Sequence, residues 1–251
     1  MAMGMNTHKD TAMTTDMSPG TELSGIRLQR LMTWLSPAFP VGAFSYSHGL
    51  ESAVEAGMLE NREDLSSWVE TIVSSGAGRV DAALFRAAYD AVISDDTEGL
   101  AWALERGDAM RSTRELGLET LSQGAAFVSA AARHWSSPWV GRLSDIAAET
   151  AREIAYPVAV GVTAADHGIA ELPALEAYLH AFAANIVSAG VRAIPLGQSD
   201  GLHVLAALEP VVVAAAGAAL DRPVDDMGSA AIMVDWASAI HETQYSRLFR
   251  S

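Results

Sequence analysis

Apolar positions along this chain recur at intervals of three and four. Nowhere do they alternate over a sustained run with turns at the spacing a sheet requires. Leu28, Leu31, Met32 and Leu35 form the first stripe, on a short amphipathic helix. Asn61 followed by Asp64 forms an N-cap pair ahead of Leu65, Trp68, Val69, Ile72 and Val73, one apolar face of a second helix that stops at Gly76 and Gly78. Shorter phrases repeat the pattern: Leu84, Ala87, Ala88 and Ala91 within Val80–Ile93, Leu100, Ala103 and Leu104 within Thr97–Arg111, and Leu121, Phe127, Val128 and Ala131 within Thr113–His134.

Pro138 breaks the chain before Arg142–Ala155, where Ile146, Ala147, Ala151 and Ile154 face inward. Pro157 opens a small-residue segment, Val158–Gly168, closed by a glycine suited to a C-cap. Pro173–Ala193 reads as a long helix with Leu175, Tyr178, Leu179, Phe182, Ile186, Ala189 and Ala193 on one side. Pro195, Gly197 and Gly201 bracket a polar turn, Gln198-Ser199-Asp200. A helix kinked by Pro210 then runs to about Leu220, and the last helix opens around Asp225-Asp226, acids at the positive end of its dipole. The pattern predicts an all-α, bundle-like domain of about ten helices over residues 23–251, packed through its many alanines and glycines.

Residues 1–22, rich in Met, Thr, Ser and Gly, lack the apolar core of a signal peptide and read as a disordered tail. Val204–Leu220 is the most apolar stretch, but Glu209-Pro210 interrupts it and it falls short of the ~20 residues a bilayer needs, so no membrane span is expected. Between the first stripe and a helix opening near His48, Pro37, Pro40 and Gly42 enforce a non-helical connection. Trp34, Phe39, Val41, Phe44 and Tyr46 crowd it, and a loop carrying so much apolar surface is docked on something, either its own core or a partner.

Half of the 251 residues are hydrophobic, enough for a sizeable core. The net charge of −15 argues against a nucleic-acid backbone or an anionic membrane as partner. Lys9 is the only lysine beside fifteen arginines, which removes a P-loop or Schiff-base lysine from the predicted domain. With no cysteine there is no disulfide, thiolate metal site or thiol nucleophile, and a reducing cytoplasm is compatible.

His134, His167, His180, His203 and His241 are scattered, with no pair spaced to set two imidazoles on one helical face, and so read as surface or hydrogen-bonded side chains. His241-Glu242 begins like a zincin motif, but Tyr245 stands where the second histidine belongs. Ser45 and Ser47 lie near His48 without a Gly-x-Ser-x-Gly elbow, and such a serine more readily caps the Gly49–Glu55 turn. Asp95-Asp96 and Asp225-Asp226 complement helix starts. Arg247 and Arg250 flank Leu248 and Phe249, a residue mixture found at interface hot spots, although a chain end can equally be frayed.

Two stretches carry a family resemblance. Phe39-Pro40-Val41-Gly42-Ala43-Phe44-Ser45-Tyr46-Ser47-His48-Gly49-Leu50-Glu51 resembles the N-terminal signature of the urease accessory protein UreF family, and His241-Glu242-Thr243-Gln244-Tyr245-Ser246-Arg247-Leu248-Phe249-Arg250-Ser251 resembles its C-terminal signature. The resemblance runs from about Leu28 to Ser251. It implies a helical, commonly dimeric, non-enzymatic cytoplasmic scaffold that joins a UreD-type (UreH-type) protein and the GTPase UreG while nickel is delivered to apo-urease. Nickel and GTP would be handled by those partners and no cofactor bound directly. It also implies that Gln244, Tyr245, Arg247, Leu248, Phe249 and Arg250 dock on the UreD-type partner, their ordering offset by burial of Leu248 and Phe249. Phe39, Pro40, Gly42, Phe44, Ser47, His48, Gly49 and Glu51 would form a partner surface or the support beneath it. Arg247 or Arg250 would be the chemically suitable group for action on the GTPase in trans. The rival readings are an α-helical enzyme with a Ser45/His48/Glu51 pocket and a direct nickel carrier.

Overall fold

The helix at the centre of the molecule is built from the small-residue segment. In this computed structural model, which describes Leu23 and residues 25–251, every residue from Tyr156 to Ala165 of Tyr156–Asp166 (α8) is buried. A helix apolar on all sides belongs inside a core. Around it the chain winds α1 (Gly25–Trp34), a single 3-10 turn (Ala43–Ser45), α2 (Leu50–Glu55), α3 (Arg62–Ser75), α4 (Ala77–Ile93), α5 (Thr97–Ala109), α6 (Arg114–His134) and α7 (Pro138–Thr150). After α8 come α9 (Glu171–Ala193), α10 (Gln198–Asp221) and α11 (Ile232–His241). No strand occurs among the described residues, so the all-α expectation holds. The expected tail of residues 1–22 lies outside them.

α8 packs chiefly on α4 and α6, while α10 lies across α9 and α3. Close approach of α8 to α4 needs Gly161, where a Cβ would stand 2.5 Å from the Phe85 carbonyl oxygen. The polar heart of the core is one buried group that the apolar pattern did not reveal. Arg111 pairs with Asp81 at 2.7 Å, and the Tyr178 hydroxyl donates to the other Asp81 oxygen at 2.6 Å. Burial, followed by the Asp81 charge, pushes the Tyr178 hydroxyl well up, so it stays a donor.

The cap anticipated at Asn61 forms, accepting from the Asp64 amide, and Asp96, expected to complement a helix start, is the N-cap of α5, accepting from the Gly99 amide. Four expectations are corrected. Pro138 opens α7 rather than breaking the chain ahead of it, because the first helical position has no intrahelical use for the missing N–H; α7 then ends at Thr150, leaving Ala151 exposed at φ 52° and Ile154 beyond the helix. Gln198-Ser199-Asp200 is the first turn of α10, with Asp200 accepting from the Gly197 amide at 2.9 Å. The last helix starts at Ile232, not near Asp225-Asp226: Asp226 is drawn to Arg79 (2.9 Å) and Arg222 (3.6 Å), and the Ala230 amide donates to the Ser75 carbonyl. On α1 the buried residues are Leu31 and Trp34, while Leu28 and Met32 are exposed.

α10 also overturns the length argument drawn from Glu209-Pro210. It runs through Pro210 for 24 residues, long and apolar enough to cross a membrane by those criteria alone. In the fold, Val204, Leu208, Val212, Ala216 and Ala219 form its buried stripe.

Gly161→Ala is expected to destabilise by about 1–3 kcal/mol, whereas Gly141→Ala on α7, where a Cβ meets nothing within 4 Å, is expected to hold or raise stability; urea unfolding of both reads the difference. Glu171, half-buried in the first turn of α9, is pushed up to about 7, first by burial and then by the Asp90 charge. Between its ordinary 4.5 and about 7 the folded chain holds a proton the unfolded chain has lost, so stability falls as pH rises through that window. Glu171→Gln is expected to flatten that part of the stability–pH curve.

Candidate functional site

The loop after α1 turns its aromatic residues inward. Trp34 meets Phe127 and Trp135 edge-on, and Phe39 packs against the same two rings. Phe39, Val41, Tyr46, Ser47, His48, Gly49 and Leu50 are buried, whereas Pro40, Gly42 and Phe44 are exposed. Gly49, at φ 75° and with Ser238 backbone nitrogen 2.7 Å from any added Cβ, lets the loop enter α2 directly beneath α11. Ser52 on α2 secures that contact by donating to the Ala237 carbonyl at 2.5 Å.

The C-terminal segment after α11 folds back onto this loop. The Ser47 amide donates to the Ser251 carbonyl at 2.8 Å, the Ser47 hydroxyl donates to the same oxygen, and the Arg250 amide donates to the Ser45 carbonyl at 2.8 Å. Ser47 Oγ also accepts from the Glu51 amide at 3.3 Å, so it satisfies a first-turn amide of α2 although Gly49, not Ser47, is the N-cap. Phe249 is 4 % exposed and Ser251 is buried, so the segment is neither frayed nor free.

A cluster of charges holds the joint. Glu51 Oε1 accepts from the Leu248 amide (2.6 Å) and Oε2 from the Phe249 amide (2.9 Å), with His241 Nε2 at 3.2 Å from Oε2. His241, 0 % exposed, sets its other ring nitrogen 2.6 Å from Glu115 Oε2, and Glu115 Oε1 accepts from Arg247 Nη1 at 2.8 Å. A second Arg247 nitrogen donates to the Glu242 carbonyl. One turn on from Glu115, Glu119 accepts from the Ser251 hydroxyl (2.9 Å) and lies 3.4 Å from His48 Nδ1. Arg192, on α9, lies over the Phe44 ring (3.8 Å to the centroid) and the Phe249 ring (4.5 Å), and donates to the Phe44 carbonyl. Burial pulls its pKa down. Arg250 lies over Tyr46.

The two stretches singled out in the sequence therefore form one unit. Ser47, Gly49, Glu51, Phe44, Arg247, Leu248, Phe249 and Arg250 take part; Tyr245 points fully into solvent, and Leu248 presents a side chain that leaves it 67 % exposed. The expected burial of Phe249 on a partner is corrected, because Phe249 is already buried within its own chain. Ser45, His48 and Glu51 do not converge: the Ser45 hydroxyl donates to the Gly42 carbonyl, His48 faces Phe182 and Glu119, and Glu51 is taken up by the C-terminal segment. Among the described residues no group of three His, Cys, Asp or Glu side chains is placed to hold a metal ion.

Glu115, Glu119 and Arg192 went unnoticed in the sequence. Their signal was the row Glu115, Glu119, Gln123 at intervals of four, which runs into the apolar Phe127 and Ala131 on the inward face of α6.

Residues 59–209 match the UreF family model. A urease accessory protein UreF from Rhodopseudomonas palustris (strain TIE-1) is 51 % identical over 224 residues, 89 % of this chain and 92 % of that protein. One from R. palustris (strain BisB18) is 46 % identical over 251 residues, the whole of both chains. The chain belongs to the UreF family. A third relative of the same name, from Bradyrhizobium sp. (strain BTAi1 / ATCC BAA-1182), is 49 % identical over 92 % of this chain and 95 % of its own. The family model stops short of both joined stretches, which the full-length UreF alignment covers.

Glu115→Ala leaves buried His241 and the inner end of Arg247 without their carboxylate and is expected to cost about 3–5 kcal/mol in urea unfolding. Tyr245→Ala, fully in solvent, is expected to stay within about 0.5 kcal/mol.

Proposed function

We propose that this UreF-family chain is a non-enzymatic scaffold of urease maturation in the cytoplasm, joining a UreD-type protein to the GTPase UreG while nickel passes to apo-urease. The joined chain ends form its platform for the UreD-type partner, and the scaffold works as a homodimer. The observation that carries this reading is the C-terminal segment itself: its backbone and Phe249 are clamped onto the core while Tyr245 and Leu248 face outward. α11 adds exposed Ile232, Met233 and Trp236 on the helix leading into that segment. Large apolar and aromatic side chains held rigid on a surface lose little freedom when a partner covers them.

The same geometry narrows the arginines. Arg247 is engaged by Glu115 and the Glu242 carbonyl, so its place in the platform is that of a brace. Arg250 remains exposed and is the better candidate for reaching a partner. Nickel and GTP chemistry stay with the partners, and the scaffold's contribution is a difference in affinity for the nucleotide states of the GTPase.

Tyr245→Ala combined with Leu248→Ala is expected to abolish co-purification with the UreD-type partner while helicity and thermal unfolding stay unchanged. Undiminished capture by that variant would remove the platform from the site. Turnover of a substrate by the isolated chain, or stoichiometric nickel binding to it in calorimetry, would favour the enzyme or carrier readings instead.

A further inference from the structure

His241 is placed between two carboxylates with no other partner, Glu115 on one ring nitrogen and Glu51 on the other. A neutral imidazole has one N–H and one lone pair, and an ionised carboxylate only accepts. Neutral histidine would therefore set a lone pair against an ionised carboxylate on one side or the other. Charge counting gives the same answer. Glu51 and Glu115 contribute two negative charges and Arg247 one positive, which leaves the inner group one positive charge short of neutrality in a site where His241 is 0 % exposed.

The neighbouring groups do not supply that charge. Glu119 and Gln123 face the site from the next turn of α6, and Glu119 adds a further negative charge. His48 sits against Glu119, and Arg111 is already committed to Asp81 on α4, where Tyr178 of α9 also bonds. On the solvent side Arg192 and Glu55 share a shallow pocket with Glu51 and offset one another.

We propose that Glu51, His241 and Glu115 together hold one proton more than a neutral histidine and two carboxylates would, and that this proton latches the C-terminal segment. Losing it turns one hydrogen bond into a repulsion between a lone pair and a carboxylate. The same Glu51 oxygens carry the Leu248 and Phe249 amides, and the same Glu115 carries Arg247, so the repulsion acts on those three anchors, while the Arg247 bond to the Glu242 carbonyl and the burial of Phe249 beneath Arg192 are untouched. Removal of that proton loosens the Leu248–Phe249 stretch and its return reseats it, while the Ser47–Ser251 and Arg250–Ser45 bonds keep the last two residues in place. The proton balance concerns how the segment is held and is independent of which protein docks on it.

The test uses the full chain, labelled with 15N-histidine for the ring and uniformly with 15N for the backbone. The ring of His241 is expected to carry N–H on both nitrogens at neutral pH, or one N–H opposite a protonated Glu115 or Glu51 carboxyl. The protection factors of the Leu248 and Phe249 amides, corrected for the intrinsic pH dependence of exchange, are expected to fall about tenfold per pH unit above that titration, the slope of one linked proton. A neutral ring between two ionised carboxylates with the segment still protected would overturn the latch, as would protection that ignores the titration. His241→Gln is expected to lose the same protection at every pH with helicity intact, and retained protection in that variant would also overturn it. Should the variant fail to fold, the two wild-type readouts decide.

Discussion

The carboxylate of Glu51 is the point on which this structure turns. It sits on a helix of one and a half turns, and its two oxygens collect two backbone amides of the chain's last residues and the ring of a buried histidine. Without a carboxylate there, the amides of Leu248 and Phe249 would need water and the segment would lose its direct tie to α2. With it, residues almost 200 positions apart become one surface. Glu115 repeats the device from the other side, holding His241 and Arg247 from α6. Buried charges are costly to assemble and far costlier to leave half-assembled, so the cluster is all-or-none and fixes one arrangement of the chain end.

That arrangement is what the proposed scaffold role rests on, in a helical body with no lysine among its described residues and no cysteine anywhere. The α4, α6 and α8 core fixes α6, α6 presents Glu115 and Glu119, and these hold α11 and the C-terminal segment in place. Order thus passes from the apolar centre to a surface with Tyr245 and Leu248 outermost. On the proposed reading, a docking partner would meet a surface already organised, with the conformational cost of binding met on folding.

Much of the body was legible in the pattern of apolar residues. The stripe on α3, the caps at Asn61 and Asp96 and the long α9 all follow from local rules, and they appear where those rules place them. Pro138, Asp200 and Asp226 were misjudged for one reason each. A proline at a first helical position opens a helix instead of ending one; an aspartate three residues into a segment caps it; and an aspartate such as Asp226 goes to nearby arginines rather than to a dipole when the arginines are closer. The two terminal stretches stood out by an apolar, proline-bracketed loop, by arginines flanking Leu248 and Phe249, and by family resemblance, but nothing local in either says that they touch. Their contact depends on buried Glu115, Glu119 and His241 and on part-buried Glu51, and hydrophobic periodicity is blind to polar groups placed inside. The same blindness hid Asp81 and Arg111, and with them the bond made by Tyr178, which the pattern places on the inner side of α9.

The direct measure of whether Glu51 and His241 join the chain ends is their coupling energy. A double-mutant cycle in urea unfolding, with Glu51→Ala, His241→Ala and the pair, is predicted to give an interaction of about 1.5–3 kcal/mol, the range of hydrogen bonds to charged groups. Additivity to within about 0.5 kcal/mol would mean that the two residues act separately, and the joint described here would not be what holds the C-terminal segment in place.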